Sequence, residues 1–277
     1  MISLVVPLYC EREVLEALLQ RIEAALEGEE WELVGVNDGS PDGTGEALSA
    51  LSLRDPRVVP VLLSRNFGKE AALSAGLDAA RGQAVIVMDG DLQHPPELIP
   101  TLLARWREGY EVVDAVKEQR GQESLSYRLA ARSFYALMGR SVGPDFARRS
   151  DFKLLDRQVV DALSGFEERN RFFRGLVAWV GFRRAEVPFV VEARAAGGSG
   201  WSTMGLLRYA MRSLLAFSSL PLLAISWLGF LSSAAAGLLA LQTLWNWIRG
   251  VAVSGFTTTI VSVLVMGGAI LVCLGVV

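Results

Sequence analysis

The sequence predicts an α/β domain with a mostly parallel sheet, followed by an apolar segment that crosses a membrane. Over the first 107 residues, short apolar runs typical of buried strands alternate with segments of helical spacing. Hydrophobic residues make up 51% of the 277 residues and are most concentrated at the C-terminal end. The chain has a net charge of −3, and every Asp and Glu lies at or before Glu192, so all of the negative charge belongs to the N-terminal domain.

The first elements are predicted from their periodicity. The run at 2–7 is apolar throughout, and in the segment 13–26 the apolar residues Val14, Leu18, Ile22 and Leu26 recur every fourth position. The same reasoning predicts strands at 31–36, 58–63 and 84–88, and helices at 42–51, 69–81 and 96–107. This alternation of strands and helices implies parallel strands covered on both faces.

Polar residues follow three of the predicted strands. Tyr9 and Glu11 come after the first strand, Asp38 after the second, and Asp89 after the fourth. Ligands of open α/β sheets bind beyond the carboxyl ends of the strands. Tyr9 is suited to stacking on a base, and Asp38 to accepting hydrogen bonds from a base or ribose. Residues 37–40 alone would be an ordinary turn, but three such strand ends together indicate a nucleotide site.

Asp89-Gly90-Asp91-Leu92-Gln93 is the most informative segment. Two carboxylates directly after a buried strand are costly unless a cation offsets their charge. Mg²⁺ and Mn²⁺ prefer oxygen ligands, usually one or two carboxylates completed by water and phosphate oxygens. Gly90 allows the backbone to come close to a ligand. Although isolated Asp-x-Asp pairs are common, this one is expected to bind Mg²⁺ or Mn²⁺ and the diphosphate of a nucleotide donor.

The C-terminal part is expected to form two transmembrane helices, at about 219–244 and 256–277, joined as a hairpin. Arg194, Arg208 and Arg212 precede the first span, whereas the hairpin loop has only Arg249, so the N-terminal domain is placed in the cytoplasm. Residues 203–218 are interpreted as an amphipathic juxtamembrane helix at the headgroups. The alternatives are a pair of buried core helices and a plain juxtamembrane flank. The predicted domains are therefore 1–202, 203–218 and 219–277.

The chain resembles a known enzyme family. The segments are V-P-L-Y-C-E, V-N-D-G-S-P-D-G-T, S-R-N-F-G-K-E-A-A-L, M-D-G-D-L-Q-H-P-P-E, D-F-K-L-L-D-R and N-R-F-F-R-G-L-V-A-W-V-G-F. They are similar to family 2 glycosyltransferases with a Rossmann-like GT-A fold, in particular the polyprenyl-phosphate subgroup that includes dolichol-phosphate mannose synthase and bactoprenyl glucosyltransferase. The resemblance implies inverting transfer of one sugar from a UDP- or GDP-sugar to an undecaprenyl- or dolichyl-type phosphate in a prokaryotic inner membrane.

The resemblance also implies residue roles. Asp91, Asp151 and Arg128 would be catalytic, and Asp89, Asp91 and Gln93 would bind the metal. The nucleotide sugar would contact Pro7, Tyr9, Glu11, Val36, Asp38, Asp89, Gly90, Lys117, Arg120 and Arg132. The acceptor phosphate would contact Arg194, Ser199, Arg208 and Arg212. The sequence departs from the family pattern at three positions, where Cys10, Asn37 and Gly200 stand in place of the usual Asn, Asp and Lys.

Several side chains have two interpretations. His94, the only histidine, is expected to support the site structurally rather than to react. Lys69 either approaches the donor or only flanks a helix start, and the sequence leaves both open. Phe172, Phe173 and Trp179 are expected to pack in the core rather than to contact the acceptor.

Two other functions compete with single sugar transfer. The first is a nucleotide-sugar-binding membrane scaffold without turnover, which the intact Asp89 and Asp91 pair disfavours. The second is a processive polysaccharide synthase, disfavoured because the chain has no Q-x-x-R-W segment and too few spans for a polymer channel. The expected partners are a nucleotide sugar, polyprenyl phosphate and membrane lipids but no nucleic acid, and a homo-oligomer is left open.

Overall fold

The computed structural model describes residues 1–117, 149–166, 172–190, 220–250 and 255–276. They group into two units, Met1–Ala216 and Phe217–Val277. The predicted juxtamembrane helix at 203–218 lies outside the described residues and stays a prediction.

The first unit contains the predicted alternation of strands and helices. Each predicted element is present with ends within three residues of the prediction, and the predicted helix at 96–107 begins with a 3₁₀ turn at Pro96–Leu98. The elements are β1 Ile2–Leu8, α1 Leu15–Ala25, β2 Trp31–Asn37, α2 Thr44–Arg54, β3 Val58–Leu62, α3 Lys69–Ala79, β4 Ala84–Val87, α4 Ile99–Arg107, β5 Val112–Lys117, β6 Arg149–Asp156, α5 Arg157–Ser164, α6 Phe173–Trp179 and β7 Arg184–Phe189.

The described strands form a seven-stranded sheet in the order β3-β2-β1-β4-β6-β5-β7. All neighbours are parallel except β6, which runs antiparallel to both β4 and β5, so the predicted mostly parallel sheet is confirmed. The chain leaves β1 in one direction towards β3 and returns to β4 on the other side of β1. This reversal is a topological switch point, where α/β proteins commonly bind ligands.

The sheet is covered on both faces. Leu4, Val6 and Leu8 of β1 lie in one apolar cluster with residues of α1, α2 and α4, whereas Val5 lies in a second cluster with residues of α3, α5 and α6. Because successive side chains of a strand point to opposite faces, β1 contributes to both cores. The predicted helix face of Val14, Leu18, Ile22 and Leu26 is buried in the first cluster.

Strands β5 to β7 were not predicted, because charged residues interrupt their apolar pattern. Asp114 of β5 and Lys153 of β6 are paired in register and fully buried, with Lys153 Nζ 3.2 Å from Asp114 Oδ1. Arg184 of β7 donates hydrogen bonds of 3.0 and 2.7 Å to Asp114 Oδ2. Burial lowers the pKa of Lys153, although the Asp114 carboxylate opposes this effect. These strands accommodate buried charges because Asp114 forms ion pairs with both Lys153 and Arg184.

The second unit contains two apolar helices, α7 Leu220–Ile248 and α8 Gly255–Val276, which lie against each other at small residues. A methyl group on Gly229 would lie 2.7 Å from the carbonyl oxygen of Gly268, and the Ser232 hydroxyl donates to the Leu264 carbonyl at 3.4 Å. Close backbone approach at small residues is typical of membrane helices. Among the described residues, the helix Leu223–Ile248 is long and apolar enough to cross a membrane, while the apolar stretch Thr259–Leu274 is shorter.

Candidate functional site

The loops that follow β1 and β2 are joined by hydrogen bonds. The backbone N–H of Cys10 donates to the Ser40 hydroxyl at 3.1 Å, and the N–H of Glu11 donates to the Thr44 hydroxyl at 3.1 Å. Tyr9 lies beside these contacts with 49% of its surface exposed. The structure therefore leaves a half-exposed aromatic ring at the switch point, as stacking on a base would require.

Cys10 adopts a backbone conformation that is unusual for its residue type. Its φ of 58° lies in the left-handed region, where asparagine is several-fold enriched among non-glycine residues. The usual Asn of the resembled family would fit this conformation better than cysteine does. The departure at this position therefore changes backbone strain at the end of β1.

Asp38 holds the loop after β2 against the loop before α3. Its buried carboxylate accepts hydrogen bonds from the backbone N–H groups of Phe67 and Gly68, at 2.7 and 2.9 Å. Gly39, with a φ of 64°, lies so close to Arg65 that a β-carbon would be 2.3 Å from the Arg65 carbonyl carbon. Both carboxylate oxygens of Asp38 thus already bind protein, and contact with a base or ribose stays a prediction.

The segment after β4 is held in a defined shape. A β-carbon on Gly90 would lie 2.7 Å from Cδ2 of the buried Leu8, so a larger residue would displace that side chain where this segment passes the end of β1. Leu92 is buried with a φ of 61°, a strained conformation for a leucine. The nearly buried Asp91 accepts a hydrogen bond from the N–H of Gln93 at 3.1 Å. This turn fixes the positions of Asp91 and Gln93.

His94 lies beneath this turn and is buried. Its Nδ1 accepts a hydrogen bond from the Asp89 N–H at 3.1 Å, and its ring stacks on Phe152 with the centroids 5.2 Å apart. Burial lowers the pKa of His94, and the Asp89 carboxylate only partly counteracts this effect. A neutral imidazole that accepts a hydrogen bond from the Asp89 N–H fits the expectation that His94 supports the site structurally rather than reacting.

Four charged side chains are linked by ion pairs, and we call them the Lys69 cluster: Lys69, Asp89, Asp151 and Arg174. Lys69 Nζ contacts Asp89 Oδ1 and lies 2.9 Å from Asp151 Oδ2. The guanidinium of Arg174 binds Asp151 Oδ1 at 3.0 Å from Nε and 2.9 Å from Nη2. Lys69 therefore connects the Asp89 segment, which follows β4, with Asp151 on the antiparallel strand β6.

Electrostatics keep the cluster ionised. Burial alone would raise the pKa of Asp151, but the charges of Arg174 and Lys69 hold it well below its usual range. Burial would also raise the pKa of Asp89, and Lys69 outweighs it so that this pKa is lowered. The pKa of Lys69 is raised, because Asp151 and Asp89 overcome the opposite effect of burial. Two anions and two cations are thus present at neutral pH.

The structure places the other predicted residues as follows. Pro7 lies near the end of β1. The Val36 side chain is fully buried in the core under α3, so only the backbone of Val36 can contribute to the site. Lys117 ends β5, and its side chain is not described. Arg120, Arg128, Arg132, Arg194, Ser199, Arg208 and Arg212 lie outside the described residues.

Sequence reasoning underestimated two members of the cluster. The sequence leaves the position of Lys69 open, although Lys69 is one of only three lysines in the chain and directly follows a glycine at a helix start. Arg174 is not among the predicted site residues, although it lies in the N-R-F-F-R-G segment that carries the family resemblance. Of the aromatic residues expected to pack, Phe172 and Phe173 are buried, but Trp179 is 65% exposed.

The residues after β4 suit a metal that is only partly coordinated by protein. In the part of the chain that the structure describes, no three His, Cys, Asp or Glu side chains are grouped to hold a metal. Asp89, Asp91 and Gln93 offer two carboxylates and one amide oxygen. This donor set fits a hard divalent cation that takes its remaining ligands from water and phosphate.

Comparison with known proteins identifies relatives over the full length. A family model described as "Glycosyl transferase family 2" matches residues 3–168. The chain is 41% identical over 283 residues to "Uncharacterized glycosyltransferase sll0501" of Synechocystis, covering all of this chain and 88% of that protein. It is 37% identical over 279 residues to "Prophage bactoprenol glucosyl transferase homolog" of Escherichia coli, covering 99% of this chain and 91% of that protein.

A solved structure shares the fold. Glucosyl-3-phosphoglycerate synthase from Mycobacterium tuberculosis, in complex with Mn²⁺, UDP-glucose and phosphoglyceric acid, superposes with a TM-score of 0.52. The match covers 77% of this chain and 78% of that chain at 19% sequence identity. At this identity the likeness shows the α/β fold with its mostly parallel sheet, as the GT-A resemblance predicted.

Proposed function

The chain belongs to glycosyl transferase family 2, and from this premise we propose that it transfers one sugar from a nucleotide sugar to polyprenyl phosphate. The proposal is supported by relatives named as bactoprenol glucosyl transferases that align with nearly the whole chain. It is also supported by the switch-point position of the predicted nucleotide residues.

The observation that carries the proposal is the connection between the Asp89 segment and Asp151 through Lys69. In this account Tyr9 stacks on the base, and Asp38 keeps the loop before α3 in place beside it. The donor diphosphate lies at Asp89, Gly90 and Asp91. The acceptor phosphate approaches from the Asp151 side, so that the two anionic substrates meet at the Lys69 cluster.

A divalent cation completes the donor site. Asp89, Asp91 and Gln93 would hold Mg²⁺ or Mn²⁺, in line with the Mn²⁺ and UDP-glucose bound by the structurally similar synthase. When bound, the cation supplies Lewis-acid stabilisation of the leaving diphosphate. The buried turn with the strained Leu92 holds Asp91 and Gln93 in place before the donor arrives, which limits the reorganisation needed on binding.

The acceptor side needs cations more than a base. A lipid phosphate is mostly ionised at neutral pH, because its second pKa is about 6. Asp151, with its pKa held well below the usual range by Arg174 and Lys69, is a weak proton acceptor. We therefore assign Asp151 the positioning of Lys69 and Arg174. Further phosphate contacts are assigned to Lys117, Arg120, Arg128 and Arg132, with Arg194 and Ser199 at the acceptor.

Membrane attachment brings the enzyme to its lipid substrate. In the proposed arrangement α7 and α8 both cross a prokaryotic inner membrane as a hairpin, and the N-terminal domain is cytoplasmic. Arg208 and Arg212 bind anionic headgroups. A protein cut after Ser202 is then expected to be soluble but nearly inactive on long-chain polyprenyl phosphate, and transfer at the full-length rate would contradict this arrangement.

One assay distinguishes the proposed function from its alternatives. The purified full chain is incubated with labelled UDP- and GDP-sugars, polyprenyl phosphate and Mg²⁺ or Mn²⁺, and the lipid fraction is analysed. We expect a lipid carrying one sugar, lost in Asp91→Asn but kept in the matched control Asp78→Asn on the exposed side of α3. Donor binding without transfer would instead indicate a scaffold, and a polymer would indicate a processive synthase.

A further inference from the structure

Lys69 occupies a carboxylate that the proposed metal requires. Its ammonium contacts Oδ1 of Asp89, while Oδ2 of Asp89 lies 3.8 Å from His94 Nδ1. Since that nitrogen accepts the Asp89 N–H, it carries no proton and provides no positive charge to the carboxylate. Among the described residues, Lys69 is therefore the cation that neutralises Asp89.

A divalent cation and an ammonium group cannot both bind Asp89 closely without strong repulsion, because this site is only partly screened by solvent. The side chains of Lys69 and Asp89 are 29% and 31% exposed. Lys69 also forms an ion pair with Asp151, whose Oδ2 lies 2.9 Å from Lys69 Nζ. It can therefore leave Asp89 without losing all of its ionic contacts.

We propose that Lys69 competes with the divalent cation for Asp89. Binding of the donor with its metal then moves the positive charge of Lys69 to the acceptor side of the site. This inference rests on the proposed function. Before binding, two cations and two anions make the Lys69 cluster neutral. Once the metal has taken Asp89, the other three side chains of the Lys69 cluster, Lys69, Arg174 and Asp151, carry a net charge of +1. The acceptor phosphate is then attracted to a site that has just received its donor, and by linkage each substrate strengthens the binding of the other.

The competition can be measured without turnover. Mn²⁺ is titrated into the full chain in detergent, without donor or acceptor, and free Mn²⁺ is followed by electron paramagnetic resonance. Removing a unit charge a few ångströms from the ligand is expected to make Lys69→Gln bind Mn²⁺ about tenfold more tightly than the wild type. Lys69→Arg keeps the positive charge and should bind Mn²⁺ as the wild type does.

Two controls separate competition from a general effect of charge. Arg54→Gln removes a positive charge that pairs with exposed Glu16 on the surface, and it should leave Mn²⁺ affinity unchanged. The double variant Lys69→Gln/Asp151→Asn keeps the net charge of the cluster and removes the repulsion between Asp89 and Asp151 that could unfold the single variant. It should still bind Mn²⁺ more tightly than the wild type.

The proposal would be overturned if a folded Lys69→Gln protein, or the double variant, bound Mn²⁺ no more tightly than the wild type. It would also be overturned if neither the wild type nor any of these variants bound Mn²⁺ measurably. The transfer assay gives an independent result. A chain that shows the competition but makes no glycolipid would contradict the proposed function only, and one that makes glycolipid without the competition would contradict only the role of Lys69.

Discussion

Replacing Gly39 by alanine tests whether the loop after β2 and the loop before α3 act as one binding surface. Two costs add up at this position. The φ of 64° costs a non-glycine residue about 1–2 kcal/mol. The new methyl group would also lie 2.3 Å from the carbonyl carbon and 2.6 Å from Cα of Arg65. Because backbone must move to relieve this overlap, we expect a further ~1–3 kcal/mol of destabilisation.

Gly28→Ala is the matched control for the backbone cost. Gly28 has a φ of 80°, but a β-carbon there would meet nothing within 4 Å. Gly28→Ala should therefore be destabilised only by the backbone cost of about 1–2 kcal/mol. For a domain of this size each kcal/mol corresponds to about 2–4 °C in Tm, so Gly39→Ala should melt several degrees below Gly28→Ala in detergent.

The same pair of variants reports on the site. The displaced loop includes the N–H groups of Phe67 and Gly68 that Asp38 binds. Titration with UDP and GDP at a temperature where both variants are folded should show weaker binding of the physiological nucleotide by Gly39→Ala alone. Equal Tm values and equal nucleotide affinities for the two variants would refute the idea that these loops form one surface.

Substitutions of Asp151, His94 and Asp114 test the ionisable residues of the first unit. Asp151→Asn should raise the acceptor KM by a factor that does not vary with pH, whereas a fall in kcat that eases as pH rises would identify Asp151 as a base. The pKa of His94 is lowered in the folded protein, so the stabilising contribution of His94 is complete above pH ~6.5 and is lost as the pH falls towards the folded pKa. The Tm of His94→Asn should therefore fall less between pH 7 and pH 5 than the Tm of the wild type. An equal fall in Tm would contradict this prediction. Asp114→Asn should cost ~3–5 kcal/mol by leaving Lys153 buried without its carboxylate, and adding Lys153→Met should restore much of the lost Tm; a single variant as stable as the wild type would contradict this.

The elements from β1 to α4 could be predicted because their residues follow simple periods. The apolar face of α1 and the continuous apolar run of β4 each identify one type of structure. The meeting of Tyr9, Asp38 and Asp89 at one edge of the sheet followed from parallel pairing alone. No tertiary contact was needed for these conclusions.

The antiparallel strand β6 could not be predicted in this way. Asp151 and Lys153 break its apolar pattern, and their charges are neutralised by partners that are distant in sequence. The Lys69 cluster depends on this strand, because β6 lies beside β4 and brings Asp151 close to Asp89. Its central contact joins residues 82 positions apart, and no local pattern contains that information.

We propose that one sugar passes from a nucleotide donor at the Asp89 segment to a lipid phosphate. The most direct test of this proposal is mass spectrometry and NMR of the lipid made by the purified chain from an α-linked nucleotide sugar, polyprenyl phosphate and Mg²⁺. We predict a single hexose joined through the lipid phosphate, with β configuration at the anomeric carbon. A lipid with retained α configuration, a chain of several sugars, or an unmodified lipid beside bound donor would contradict the account.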